Sequence, residues 1–165
     1  MTLIQKCPLP SNALLARYQR DGSFTDCFAC EIGRRTSHAE FVTVFYTTPL
    51  FRIERLILRL LASKPSTDAD AVALAAGTSD TFAAWSVEAR APDQLLLADF
   101  TGRTRSWLMV EPVSTGVAVA TTRLYFGSAV VARSRDSALL AFHKVYSISL
   151  LAAAHARISR RGEMA

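Results

Sequence analysis

The sequence predicts an α+β fold in which a curved antiparallel sheet grips a long C-terminal helix. Three observations carry this. Residues 24–32 alternate in hydropathy with a period of two and are followed by helical segments, not by a partner strand. Residues 82–126 hold four further period-two runs joined only by short turn-rich connections, the signature of a meander. Residues from about Ser137 to Ser159 read as the longest helix, with Gly162 as its stop signal. No βαβ alternation or Gly-rich phosphate loop occurs, which argues against a dinucleotide-binding parallel sheet. G-x-S-x-G and Walker patterns are also absent.

Each element has a local reason. Residues 1–22 read as an irregular lead-in, because Pro8 and Pro10 break any long element. Residues 23–161 then form a single domain. The first strand runs from Phe24 to Ile32 and Gly33 ends it. Ser37-His-Ala-Glu40 is a capping box, since Ser and Glu can each satisfy an orphan amide at a helix start, and predicts a helix to about Tyr46. Thr48 as N-cap and Pro49 at the first helical position predict a second helix to about Ala62. Its apolar positions Leu50, Ile53, Leu56, Ile57, Leu60 and Leu61 make a broad face for packing. Arg52, Arg55 and Arg59 make a basic stripe, read as solvated, with a membrane-surface role as the alternative. A short helix spans Thr67–Ala76, with Asp68 and Asp70 in its first turn and Gly77 at its end. The meander strands are Phe82–Arg90, Gln94–Phe100, Arg103–Glu111 and Val117–Phe126. Their connections centre on Pro92-Asp93, Thr101-Gly102 and Ser114-Thr-Gly116.

Composition narrows the function classes. The chain has 165 residues, half of them apolar and 20% charged, which suits one folded soluble domain and excludes a disordered chain. The formal charge of +5 comes from 16 Arg and 3 Lys against 14 acids. The arginines are scattered and lack interleaved stacking aromatics, so no nucleic-acid partner is expected. Arg157, Arg160 and Arg161 read as charge complements to a helix C-terminus. An odd cysteine count (Cys7, Cys27, Cys30) with no apolar leader points to a reducing, cytoplasmic setting. Cys27 and Cys30 match C-x-x-C, but residues three apart on a strand are roughly 10 Å apart, too far for a disulfide. No second Cys/His pair stands at zinc spacing, so no metal or other cofactor is expected. The longest apolar stretch, Ala138–Ala156, is interrupted by His143, Lys144, Ser147, Ser149 and His155, which excludes a membrane span.

Turn lengths assign faces to the strands, because directly opposed residues share a face. Two-residue turns at Pro92-Asp93 and Thr101-Gly102 oppose Leu96 to Trp107 and Ala98 to Arg105. A tight turn around Ser114-Thr115 opposes Leu124 to Arg105 and Thr122 to Trp107. One face then carries Trp85, Val87, Leu96, Arg105, Trp107 and Met109 and is expected to meet the long helix. The other, with Leu95, Leu97, Ser106 and Tyr125, is expected to meet solvent or a second copy in a homodimer. Arg105 is the anomaly of the apolar face, since an unpaired buried guanidinium costs several kcal/mol. Asp26, inward with Phe24 and Phe28, is its expected partner. His143 and Tyr146 share a helical stripe with Leu139 and Leu150 and are expected to face the sheet. They read as core residues or as candidate catalytic groups. Asp26, Trp85, Arg105, Trp107, His143 and Tyr146 thus form the candidate ligand-binding set: apolar walls with a few convergent polar anchors.

The order strand, helix pair, short helix, antiparallel sheet and long helix resembles the helix-grip superfamily of START, polyketide-cyclase and pollen-allergen-type proteins (SRPBCC). The segments Phe45-Tyr-Thr-Thr-Pro-Leu-Phe-Arg-Ile-Glu-Arg55, Thr101-Gly-Arg-Thr-Arg-Ser-Trp107, Arg123-Leu-Tyr-Phe-Gly-Ser128 and Phe142-His-Lys-Val-Tyr-Ser147 resemble an uncharacterised bacterial branch of it. The resemblance implies a deep cavity between sheet and helix for an apolar or aromatic small molecule. It supplies no catalytic residue, because the superfamily shares no catalytic motif. The chain departs from the pattern in counting five strands, with Ala129–Val131 as a sixth, and in its extra short helix. Three functions follow as expectations. The first is binding of a hydrophobic or amphipathic ligand whose carboxylate end sits on Arg105. The second is a cyclase or hydro-lyase with His143 and Asp26 as acid/base groups and Tyr146 or Arg105 polarising a carbonyl. The third is a protein-interaction module.

Overall fold

The computed structural model describes residues 4–113, 120–131 and 137–162, with side chains from Val145 onward in the last stretch. The chain is α+β. In order the elements are β1 (Gln5–Lys6), α1 (Ala16–Arg20), β2 (Phe24–Ile32), α2 (His38–Tyr46), α3 (Pro49–Ala62), α4 (Asp68–Ala76), β3 (Thr81–Phe82), β4 (Trp85–Ala91), β5 (Gln94–Asp99), β6 (Thr104–Val113), β7 (Thr121–Val130) and α5 (Ser137–Gly162). The strands form one antiparallel sheet of order β1-β2-β7-β6-β5-β4-β3. The long C-terminal helix lies on one face of it. No helix among the described residues is long and apolar enough to cross a membrane.

Local chemistry sets the helix starts as the spacing predicts. The Ser37 hydroxyl accepts from the Glu40 N–H. Glu40 does not close the capping box; its carboxylate pairs with Arg34. The Thr48 hydroxyl accepts from the Phe51 N–H with Pro49 at the first helical position. Thr67 and Asp70 make a complete capping box for α4, and Gly77 ends it at φ +76°, where an L side chain would be strained. Arg157 donates to the Thr47 carbonyl at the end of α2, and Arg160 and Arg161 lie in the last turn of α5.

Two hydrophobic layers flank the sheet. On the helix side, Phe28, Cys30, Ile32, Leu95, Leu97, Leu108, Val110, Leu124 and Phe126 pack against Phe41, Phe45, Leu74, Leu151 and Ile158. On the outer side, Cys27, Leu96, Trp107, Met109, Tyr125 and Ala129 pack against Ala13, Leu15 and Tyr18. Residues 4–22 are therefore a structured strap: β1 pairs with β2, and α1 with its approach covers the sheet. Gln94 clasps it from beneath. Its carbonyl oxygen accepts from the Leu14 N–H and the Trp107 indole, each at 2.9 Å, and its amide donates to the Asn12 carbonyl.

This arrangement reverses the predicted faces of β5 and β6, where Leu96, Arg105, Trp107 and Met109 lie on the outer side and Leu95, Leu97 and Ser106 on the helix side, while Trp85 and Val87 keep the helix side and Tyr125 the outer one. Leu96 does oppose Trp107 and Ala98 does oppose Arg105. On β7, however, Ala129 opposes Arg105 in place of Leu124, and Gly127 opposes Trp107 in place of Thr122. That displacement is odd, and an odd slip moves a residue to the other face. Its cause is the connection: Val113 pairs directly with Thr121, so the loop is longer than the tight turn expected around Ser114, which lies outside the described residues. The start of the predicted last strand at Val117 also lies outside them. A second parity break is the bulge between Val87 and Ala89, which leaves Glu88 out of the ladder. Trp85 and Val87 therefore join the helix-side core while Ala89 joins the outer one.

Helix α3 is inverted as well. Phe51 and Arg55 are its buried residues, while Ile53, Leu56, Ile57, Leu60 and Leu61 are exposed. The Arg55 guanidinium is fully used: Nε donates to the Ser66 hydroxyl, Nη1 to Asp68 (2.6 Å) and Nη2 to the Ser66 carbonyl (2.8 Å). Of the basic stripe, only Arg55 is buried, with every nitrogen partnered, while Arg52 and Arg59 remain exposed.

Candidate functional site

A polar row crosses the apolar helix-side face of the sheet. The register sets Asp26 beside Ser128 and Ser128 beside Ser106, all on the face that carries Phe28, Phe126 and Leu108 one step along. Each of the three is nearly inaccessible, and Asp26 retains only 5% of its exposure. Asp26 Oδ1 accepts from the Ser128 backbone N–H at 3.1 Å and from its hydroxyl. Asp26 Oδ2 is buried and has no hydrogen-bond partner among the described residues. Buried carboxylate oxygens are rarely left so, because the lost hydration is not repaid.

The row continues into the helices. Tyr46 Oη at the end of α2 lies 3.3 Å from Ser106 Oγ, and burial first, then the nearby Glu54 carboxyl, pushes its phenol pKa up. Glu54 on α3 accepts from the Tyr146 hydroxyl on α5, and burial pushes its carboxyl up to about 7. Ser147, fully buried on α5, adds a further hydroxyl to the layer. The Trp85 indole Nε1 is buried on this side without a partner among the described residues. Asp26 and Trp85 stand four strand places apart in the sheet, so this layer holds an acceptor at one end, an indole donor toward the other and, on α3, a carboxyl raised toward neutrality, among aromatic side chains that include Phe45, Phe51 and Phe82.

The predicted set is divided. Asp26, Trp85 and Tyr146 lie on the helix side. The side chain of His143 lies outside the described residues; its backbone is in α5. Arg105 and Trp107 are on the outer face, so the expected Asp26–Arg105 pair does not form. Arg105 Nε instead donates to Glu88 (2.5 Å) and to the Tyr18 hydroxyl (2.8 Å), and its guanidinium stacks 4.9 Å from the Tyr18 ring centre. Trp107 is wholly buried under the strap. Sequence reasoning missed Ser106, Ser128, Tyr46 and Glu54. The two serines interrupt strongly apolar strands at one level, a usable signal once the register is known.

Two open clefts flank the strap on the outer face. One, of about 890 Å³, runs from Cys7 and Pro8 to Glu31, Glu111, Arg123 and Tyr125. The other, of about 440 Å³, lies between Lys6, Gln19 and residues 25–27. The charged groups of the larger cleft satisfy one another: Arg123 pairs with Glu31 and Glu111, and the Tyr125 hydroxyl donates to Glu111. Among the described residues no three of His, Cys, Asp and Glu gather where they could hold a metal ion. No family model, curated protein or solved structure matches this chain.

Proposed function

We propose that this protein binds a small, largely apolar molecule between the helix-side face of the sheet and helices α3 and α5, with a hydroxyl or amine end donating to Asp26. One observation carries the reading: Asp26 Oδ2 is buried in an apolar layer with no donor among the described residues. A buried acceptor oxygen without a donor costs about 1–3 kcal/mol, and a ligand donor relieves that cost. The surrounding side chains are aromatic and aliphatic, the usual chemistry around a bound small molecule. The resemblance to helix-grip proteins supports the same location. The ligand's polar end is a donor and not a carboxylate, because Arg105 is committed to Glu88 on the far face.

The test is direct. The protein as purified is analysed by native mass spectrometry for a retained small molecule. The neutral fluorophore N-phenyl-1-naphthylamine, an aromatic body with one N–H donor, is then titrated into the delipidated chain. Saturable binding at one per chain, weakened about tenfold in Asp26→Leu, is expected for the loss of one hydrogen bond. No saturable binding, or equal affinity in a folded Asp26→Leu, overturns the reading.

A second reading, acid–base catalysis on the bound molecule, is favoured by Glu54, which is pushed up to about 7 and hydrogen-bonded to Tyr146. A carboxyl poised near neutral pH suits general acid or base work. Its test is whether any retained molecule changes mass on incubation with wild-type protein and not with Glu54→Gln.

A further inference from the structure

The three cysteines divide between the two faces of the sheet. Cys30 belongs to the helix-side core, where burial pushes its thiol up to about 12 and leaves it unreactive. Cys7 and Cys27 meet on the other side with their sulfurs 3.3 Å apart. The register explains the meeting. Gln5 opposes Ala29 and Lys6 opposes Phe28, so Cys7 falls opposite Cys27, and its N–H donates to the Cys27 carbonyl at 3.0 Å. Directly opposed residues of a hydrogen-bonded antiparallel pair stand about 5.5 Å apart at Cα, inside the window of about 4.4–6.8 Å that a disulfide accepts. The sulfurs need to close by only about 1 Å to reach bonding distance.

We propose that Cys7 and Cys27 are an oxidative modification site, closed to a cross-strand disulfide by a hydroperoxide. Cys7 is the attacking group. It is half-buried and lines both outer clefts, so a small oxidant reaches it. The hydrogen bond from Cys27 and the charge of Arg123 hold its thiol below the ordinary value, against the opposing effect of burial. Cys27 is buried, and its hydrogen bond to Cys7 together with burial pushes its thiol up, which marks it as the resolving partner. The Cys7 thiolate attacks one peroxide oxygen; an S–O bond forms, the O–O bond breaks, and the alkoxide leaves as an alcohol after taking a proton. The Cys27 sulfur then attacks Cys7 Sγ. The S–S bond forms, the S–O bond breaks, and hydroxide leaves as water with the Cys27 proton. Two thiols and one hydroperoxide give one disulfide, one alcohol and one water, and the two electrons lost by sulfur reduce the peroxide.

The experiment uses the full chain, reduced and freed of reductant, then treated with equimolar hydrogen peroxide, denatured, alkylated with iodoacetamide and weighed. The expected product has lost two hydrogen atoms, carries one alkyl group where the reduced chain carries three, and reverts with a reductant. Cys30→Ala is expected to give the same linkage with no alkyl group, and Cys7→Ser to give no linked product. Tryptic fragments of the wild-type chain should be joined through Cys7 and Cys27, a result that holds whether or not the Cys30 variant folds. Three alkylated thiols after the peroxide is consumed, a Cys27–Cys30 link, a disulfide between two chains, or a sulfinic acid on Cys7 beside a free Cys27 each overturn the proposal.

Discussion

Asp26 and Ser128 face each other across β2 and β7, and Ser128 gives both its backbone N–H and its hydroxyl to a single oxygen of Asp26. That pairing leaves the second carboxylate oxygen directed elsewhere in the buried layer. Replacement by Ala removes the acceptor that both of these Ser128 groups use. We expect Asp26→Ala to lower unfolding free energy by about 1–3 kcal/mol, and Asp26→Asn, which keeps an acceptor for Ser128, to lower it less. Urea denaturation of the three proteins checks the order.

Glu54 makes stability depend on pH in a stated direction. Its folded-state pKa of about 7 stands above the ordinary 4.5, so between those values the folded chain holds a proton that the unfolded chain has released. The stabilisation is complete below about 4.5 and is lost as pH rises through about 7. The span corresponds to at most about 3 kcal/mol at about 1.36 kcal/mol per unit. Wild type should lose stability across this window relative to Glu54→Gln, whose profile should lack that component. Denaturant midpoints at a series of pH values measure it.

Arg105 pins the strap through Glu88 and Tyr18. Removing it leaves Glu88 with Arg17 as its remaining cationic partner and takes the stacking surface from Tyr18. We expect Arg105→Ala to cost about 1–3 kcal/mol, below the loss for a fully buried unpaired charge, because Arg17 remains. Hydrogen exchange should speed up at residues 13–20, while binding of N-phenyl-1-naphthylamine should be unchanged.

Gly127 sits beneath Leu15 of the strap and beside Trp107. A Cβ there would stand 2.9 Å from the Asp26 carbonyl oxygen and 3.0 Å from both Leu15 and Trp107. The backbone oxygen cannot swing aside as a side chain can. Gly127→Ala is therefore expected to destabilise by about 1–3 kcal/mol through overpacking, seen as a lower thermal midpoint.

The inverted α3 has its own signature. Leu60→Gln and Leu61→Gln, at positions that are 70% and 84% exposed, should change stability by less than about 0.5 kcal/mol. Phe51→Ala, on the buried side of the same helix, should cost about 3–5 kcal/mol. Chemical denaturation separates the two cases.

What the sequence made legible follows from which signals are local. The limits of β2, the caps at Ser37, Thr48 and Thr67, and the stop at Gly77 depend on neighbouring residues, and each stands where its chemistry puts it. Face assignment depends on counting through a turn. One longer connection after Val113 and one extra residue at Glu88 were enough to exchange the environments of Trp107 and Leu108. Amphipathicity told that α3 has two faces but not which one the protein would claim, because Arg55 found Ser66 and Asp68 beneath it. The strap was illegible for another reason: Leu15 and Tyr18 lie in a segment whose prolines mimic a loose terminus, and only the tertiary fold supplies their partners.

The neighbour relation between β2 and β7 has a consequence for synthesis. During translation β2 is complete roughly a hundred residues before its principal partner emerges, and only the two-residue β1 can occupy one of its edges in the meantime. Closing so long a loop is entropically slow. A nascent chain halted before Thr121 would carry an apolar ribbon with an open edge, a natural client for a holding chaperone at the ribosome exit.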